Sequence, residues 1–210
     1  MMDIIVCDDH PVVRQGLARI IQDSFTAAQV RGADCGQALI EQLRGQASDV
    51  VLLDVTLPGR SGLEVLRQVK QEWPRLPVLV LSVHPADQYA VRALRAGASG
   101  YLTKDLAAEE LVSAVRLVTQ GQRYLTPAVA ERLADALERP DGECPHEDLS
   151  DREFQVLGMI GAGKKVRQVA DELCLSYNTI STYRSRILEK LGLEGDAQLV
   201  RYALQHGLAE

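Results

Sequence analysis

Over about its first 120 residues the chain alternates short, continuously apolar runs with amphipathic stretches of helical spacing. The apolar runs cover residues 4–7, 50–53, 78–81 and 100–102, with a weaker one at 29–33; segments such as VVRQGLARII and QYAVRALRAGA lie between them. A strand that is apolar at every position has no solvent face. It must be covered on both sides, which is the condition of a parallel sheet held between layers of helices through right-handed crossovers. The pattern predicts an α/β architecture, a doubly wound five-stranded parallel sheet.

Past Gly121 the rhythm changes. TPAVAERLADALE predicts a lone helix with Pro127 in its first turn, and RPDGECPHED, rich in Pro, Gly and acids, predicts a linker. From Leu149 onward only short helices follow. The first opens on a capping box, Ser150 three residues before Glu153, and ends at Gly161 or Gly163. VRQVADELCL is the second, SYNTISTYRSRILEKLGL the third, from Ser176 as N-cap to Gly192, and DAQLVRYALQHGL closes the chain. The expected division is a domain at 1–120, a linker with a helix at 121–145 and a small all-α domain at 146–210.

The formal charge of −6 comes with no apolar run long enough to span a bilayer and no basic-then-apolar leader, so a cytoplasmic chain that does not enter the membrane is expected. Cys7, Cys35, Cys144 and Cys174 form no C-x-x-C pair and are read as reduced packing residues; Cys144 and His146 make only half of a metal-ligand pattern.

The first apolar run stops at two adjacent aspartates, Asp8 and Asp9, and the third stops at Asp54. In a doubly wound sheet of order 2-1-3-4-5 the first and third strands are neighbours, and their carboxyl ends open on the ligand crevice. Three carboxylates meeting there repel one another unless a cation neutralises them, and an oxygen-only donor set in an open site suits Mg²⁺. The other strand ends add Ser82 and Lys104, a hydroxyl and an ammonium suited to a bound phosphoryl group. An aspartate beside Mg²⁺, Lys and a hydroxyl is placed to attack a phosphoryl donor and become an aspartyl phosphate. His10 and His84 flank the site as exposed loop or helix-start residues, and Pro58 and Gly62 shape the loop after Asp54.

These residues, in CDDHPVV, LLDVTLPGRSGLEVL, VLVLS and ALRAGASGYLTKD, resemble the flavodoxin-like receiver domain of two-component response regulators. The resemblance implies that Asp54 is the phospho-acceptor, that Asp9 ligates Mg²⁺ directly with Asp8 close by, and that Thr56 adds its backbone carbonyl. It also implies that Ser82 and Lys104 grip the phosphoryl group and that Tyr101 is the aromatic whose rotation follows Ser82.

The C-terminal helices, joined by tight turns, suggest a helix-turn-helix. From His146 onward eight Lys/Arg stand against ten Asp/Glu, but between Lys164 and Lys190 six bases face three acids. On the third helix Ile180, Tyr183, Ile187, Leu188 and Leu191 share one face. Asn178, Thr182 and Ser185 point away from it, flanked by Ser181 and Arg186. Short polar side chains beside Arg can approach base edges while Lys164, Lys165, Arg186 and Lys190 take phosphates. LSDREFQVLGMIGAGK and VADELCLSYNTISTYRSRILEKLGL resemble the LuxR-type helix-turn-helix of NarL/FixJ response regulators, which implies base contacts at Ser181, Thr182 and Ser185. The chain departs from that pattern at Lys165, where a Ser or Thr usually caps the second helix, and in having Ser where a base-contacting Lys is common.

The expectation is a regulator of transcription, not an enzyme. A sensor histidine kinase would phosphorylate Asp54, and the phosphorylated homodimer would bind half-sites in double-stranded DNA. Two rivals are a Mg²⁺-dependent phosphohydrolase, which needs a second acid beside the nucleophile and a capping insertion that LLDVTLPG lacks, and an output domain that binds protein in place of DNA.

Overall fold

The computed structural model describes residues 2–83, 86–105, 108–138 and 144–209, the side chains of 86–88 and 137 excepted. His84 and linker residues 139–143 lie outside the described residues. The chain divides into two compact units, Met1–Ala134 and Asp135–Glu210.

The first unit holds strands β1 (Met2–Cys7), β2 (Ala28–Ala33), β3 (Val50–Asp54), β4 (Val78–Ser82) and β5 (Gly100–Thr103), all parallel, in the order β2-β1-β3-β4-β5. Helices α1 (Pro11–Ser24), α2 (Gly36–Gly45), α3 (Gly62–Glu72), α4 (Ala86–Arg95) and α5 (Ala108–Thr119) connect them. The doubly wound sheet read from the apolar runs is the observed one. Each strand reaches one or two residues beyond its apolar run, so Asp54 and Ser82 are the last residues of their strands rather than the first of the loops. Every residue of β3 and β4 is buried, as continuous apolarity requires, whereas β2 at the sheet edge is half-buried or exposed except at Ala33 and was the weakest signal. One part of the core joins Ile4, Val6, Leu52, Leu79 and Leu81 of the strands to Ile21 of α1 and Leu111, Val115 and Val118 of α5.

α6 (Pro127–Glu138) follows, with Thr126 Oγ1 accepting from the Val129 amide at 3.3 Å at its start. The second unit then contains α7 (Asp151–Gly161), α8 (Val166–Glu172), α9 (Tyr177–Leu191) and α10 (Asp196–Gln205). Inside the stretch read as linker, Pro145–Asp148 forms a 3-10 turn, with Pro145 supplying a fixed φ where no amide is needed. The Ser150 capping box closes in both directions, at 3.3 Å from the Glu153 amide to Ser150 Oγ and 2.8 Å from the Ser150 amide to Glu153 Oε2. α8, which lacks the usual Ser or Thr, is capped from inside: Gln168 Oε1 accepts from the Lys165 amide at 2.8 Å. Gly192 ends α9 at φ +64, a conformation that costs other residues about 1 kcal/mol. Ile180 and Ile187 are fully buried and Tyr183, Leu188 and Leu191 partly so, which makes the predicted inner face of α9 the observed one.

Candidate functional site

Strand register brings the acidic residues together. Cys7 pairs with Leu53 across β1 and β3, so the next residues, Asp8 and Asp54, stand at the same level at the sheet's carboxyl edge; Asp54 in turn pairs with Leu81, the residue before Ser82. Asp8 is 1% and Asp54 3% exposed, and Ser82 is fully buried. Asp8, Asp9, His10 and Asp54 each offer a ligand atom, all within 4.8 Å of one another.

Lys104 neutralises part of this charge. Its Nζ donates to Asp8 Oδ2 at 2.6 Å and to Asp54 Oδ2 at 2.7 Å, and its backbone amide is fixed on the Ser82 carbonyl at 2.7 Å. The remaining acceptors are shared out. Asp8 Oδ1 takes the His10 amide at 2.8 Å, and Asp54 Oδ1 takes the Thr56 amide at 3.1 Å. Asp9 Oδ1 touches His10 Nδ1 at 2.7 Å but receives no well-formed hydrogen bond, leaving a shielded carboxylate oxygen with spare capacity. An orphaned hard oxygen beside two further carboxylates fits a small divalent cation.

Burial is the largest influence on Asp54 and raises its carboxyl above the ordinary carboxylate range; Lys104 draws it back and Asp8 pushes it up again. Burial of Lys104 works to lower its ammonium, yet the attraction of Asp54 and Asp8 outweighs this and the group ends above the ordinary lysine value. Mutual attraction between the two groups therefore works against the burial that disfavours each charge.

The loop after Asp54 is held by close approach rather than by turn chemistry alone. A Cβ on Gly62 would lie 1.9 Å from the Asp54 carbonyl oxygen, and the Gly62 amide donates to the Val55 carbonyl at 2.8 Å. Any larger residue at the start of α3 would displace the strand end that carries the acceptor. His10 flanks the site from a helix start, as the sequence suggested, whereas Arg14 was not legible there. His10 sits at the N-cap of α1 with its ring against Asp9, and Arg14 Nη1 donates to the Asp8 carbonyl at 2.6 Å. Arg14 lies one turn into an amphipathic helix, where an arginine ordinarily reads as surface charge.

Tyr101 is 1% exposed. It pairs with Val80, and Thr103 pairs with Ser82; residues two apart on a strand share a face, so Tyr101 stands one step below Ser82 along the same pleat.

In the second unit, Asn178, Thr182, Ser185 and Arg186 are exposed on α9 and Ser181 is partly so. The Thr182 hydroxyl donates to the Asn178 carbonyl at 2.9 Å and the Ser185 hydroxyl to the Ser181 carbonyl at 3.1 Å, which leaves each oxygen able to act as an acceptor. Lys165 and Arg186 have no ion-pair partner among the described residues, and neither has Arg167, an exposed base on α8 that the sequence reading had not singled out. Two lysines are placed differently. Lys164 Nζ binds Glu172 Oε2 at 2.7 Å, and Lys190 Nζ binds the buried Glu153 Oε2 at 2.7 Å. Burial, the largest influence on Glu153, favours its neutral form, but the bonds from Lys190 and the Ser150 amide prevail and hold it below the ordinary value. Lys190 thus ties α9 to the start of α7.

The chain matches the model of the response regulator receiver domain over residues 4–116 and that of bacterial regulatory proteins of the luxR family over residues 147–203. It is 40% identical over 211 residues to the response regulator GacA of Pseudomonas aeruginosa, covering 100% of this chain and 99% of that protein. With the response regulator UvrY of Escherichia coli K12 it shares 38% identity, over 99% and 96% of the two chains. Among solved structures, RcsB of Salmonella enterica serovar Typhimurium, bound to promoter rprA in the presence of the phosphomimetic BeF3−, aligns with a TM-score of 0.64 at 26% identity, over 96% of this chain and 98% of that one. The matched models describe a regulator rather than a class of enzyme. No helix of the described residues is long and apolar enough to cross a membrane. The chain belongs to the response regulators that join a receiver domain to a luxR-family DNA-binding domain.

Proposed function

We propose that Asp54 accepts a phosphoryl group from the phosphohistidine of a sensor kinase and that the modification controls DNA binding by the luxR-type domain. The receiver would occupy residues 1–120, the linker with α6 residues 121–145 and the DNA-binding domain residues 146–210. The observation that carries the reading is Lys104 Nζ held between Asp8 Oδ2 and Asp54 Oδ2 at 2.6 and 2.7 Å.

In the transfer an Asp54 carboxylate oxygen attacks phosphorus, the P–O bond forms as the P–N bond to the histidine breaks, and the imidazole leaves. Lys104 keeps its proton throughout and exchanges a carboxylate partner for a phosphoryl oxygen. The buried Ser82 at the end of β4 supplies a hydroxyl on the same side. Asp9, with its uncommitted oxygen, together with Asp54 and the Thr56 carbonyl, would hold Mg²⁺, with Asp8 alongside. When bound, that ion supplies positive charge for the equatorial phosphoryl oxygens.

The phosphoryl group draws on Ser82 and so alters packing along the pleat that Tyr101 shares, which remodels the surface of α4, β5 and α5. One helix-turn-helix reads a single half-site, and two heads about one helical turn apart gain the affinity needed against a genome of competitors, so homodimerisation is the natural control point. Thr182, Ser185 and Ser181 would read bases of promoter DNA, with Asn178 beside them, and Lys165 and Arg186 would take phosphates. That RcsB has been solved on promoter DNA in the presence of the phosphomimetic BeF3− supports a link between receiver phosphorylation and DNA binding. A cytoplasmic location follows from such partners.

Incubation with a small acyl-phosphate donor and Mg²⁺ should add one phosphoryl group by intact mass, with none on Asp54→Asn. Equal labelling of that variant would overturn the assignment.

A further inference from the structure

The end of the first unit's sheet remote from Asp54 lies where β4 begins and where α3, α4 and α5 finish. A concave pocket of about 360 Å³ opens there. Lys70, Arg75 and Arg123 line it with Ser99, Gly97 and Gly121, and no carboxylate is among its lining residues. Cations gathered around one cavity repel one another, so their presence needs a counter-charge.

Helix C-termini supply part of it, each carrying about half a negative charge on its unpaired carbonyls. Lys70 finds acceptors in the loop between α3 and β4: its Nζ donates to the Leu76 carbonyl at 2.7 Å and reaches the Pro74 carbonyl at 3.4 Å. Arg75 and Arg123 do not, because neither guanidinium makes a hydrogen bond or an ion pair among the described residues. The acids on adjoining grooves are occupied elsewhere. Asp49 takes the Asp3 amide at 2.7 Å, and Glu72 is bound by Arg44 at 2.9 Å. Burial, and after it the charge of Arg123, holds the Lys70 ammonium below the usual lysine range, so like charges press on each other across the pocket. Ser99 Oγ accepts from the Val78 amide at 3.3 Å, which leaves its hydroxyl hydrogen for an acceptor in the cavity.

We propose that this pocket binds the diphosphate group of a small phosphorylated molecule. Two guanidinium forks without a partner among the described residues match phosphate oxygens in pairs, Lys70 adds a point charge beside them, and Gly97 and Gly121 add no side chain to the lining. The site is separate from the acceptor site, where three carboxylates meet.

The test is a titration of the full chain with inorganic pyrophosphate, in chelator and without Mg²⁺. It is read by emission of Trp73, the chain's single tryptophan, which lines a groove sharing Pro74, Arg75 and Pro77 with the pocket. Saturable binding is expected, weakened about tenfold or more in Arg75→Gln and in Arg123→Gln, each of which removes a charge-assisted contact. Both arginines are exposed, so these variants fold, and they should still be phosphorylated on Asp54 like the unaltered chain. A response that sodium chloride of equal ionic strength reproduces, or unaltered affinity in both variants, would overturn the proposal.

Discussion

Lys104 and Asp54, 50 positions apart in the chain, meet at 2.7 Å, and the same ammonium reaches Asp8 at 2.6 Å. One cation therefore restrains two buried carboxylates. Replacing it with methionine leaves both without their partner, so Lys104→Met should destabilise the chain by about 3 kcal/mol in chemical denaturation. Mg²⁺ should restore much of that loss by taking over the charge, whereas no response to Mg²⁺ would argue against a cation site at these aspartates.

Asp54 itself is held at an energetic cost. Its folded-state carboxyl lies above the ordinary value because of burial, so between the two values the folded chain binds more protons than the unfolded one. Stability then falls as pH rises through that window. Asp54→Asn removes the ionised group and should melt higher, by roughly 1 kcal/mol or a few degrees, while accepting no phosphoryl group. The same shift predicts that phosphorylation by a small donor slows on acidification sooner than an ordinary aspartate would require, measurable as initial rate against pH.

Gly62 should tolerate no side chain. A methyl group 1.9 Å from the Asp54 carbonyl oxygen forces the start of α3 away from β3, so Gly62→Ala is expected to cost about 2–3 kcal/mol or more and to slow phosphorylation. An alanine variant of normal stability and rate would show that this approach is not needed.

DNA contacts should separate by kind. Lys165→Ala and Arg186→Ala should weaken binding to every sequence and each lower the salt slope by about one unit. Thr182→Ala and Ser185→Ala should instead change the preferred base, at about 1–3 kcal/mol for a good contact. Lys190→Ala should act through Glu153 on the fold. Since the Glu153 carboxyl is depressed in the folded chain, the stability it contributes is present above the ordinary carboxylate value and is lost as pH falls through that range. Denaturation at neutral and acidic pH, run beside binding to selected DNA, distinguishes the two roles.

Cys174, at the turn from α8 into α9, has φ +53, where a side chain is strained. Cys174→Gly should raise stability by about 1 kcal/mol without altering DNA preference, checked by thermal melting.

What the sequence determined by itself was everything carried by local period and punctuation. The apolar runs at β1, β3, β4 and β5 show no solvent face and so specify a covered parallel sheet, and Asp8, Asp9, Asp54, Ser82 and Lys104 fall at strand ends because the apolar runs stop there. The Ser150 box, the Ser176 cap and Gly192 mark the helices of the second unit for the same reason: capping is satisfied within a few residues. β2 was faint because all of its residues but Ala33 keep some exposure to solvent and so need not be apolar. Tertiary structure alone decided how charges are shared. That Lys190 serves Glu153, that Lys104 spans two aspartates, that Asp9 keeps a spare oxygen and that Arg75 and Arg123 line one cavity with Lys70 all depend on side chains brought together from distant positions. A charged residue reads the same in sequence whether solvent or a partner receives it, and only the packed chain determines which.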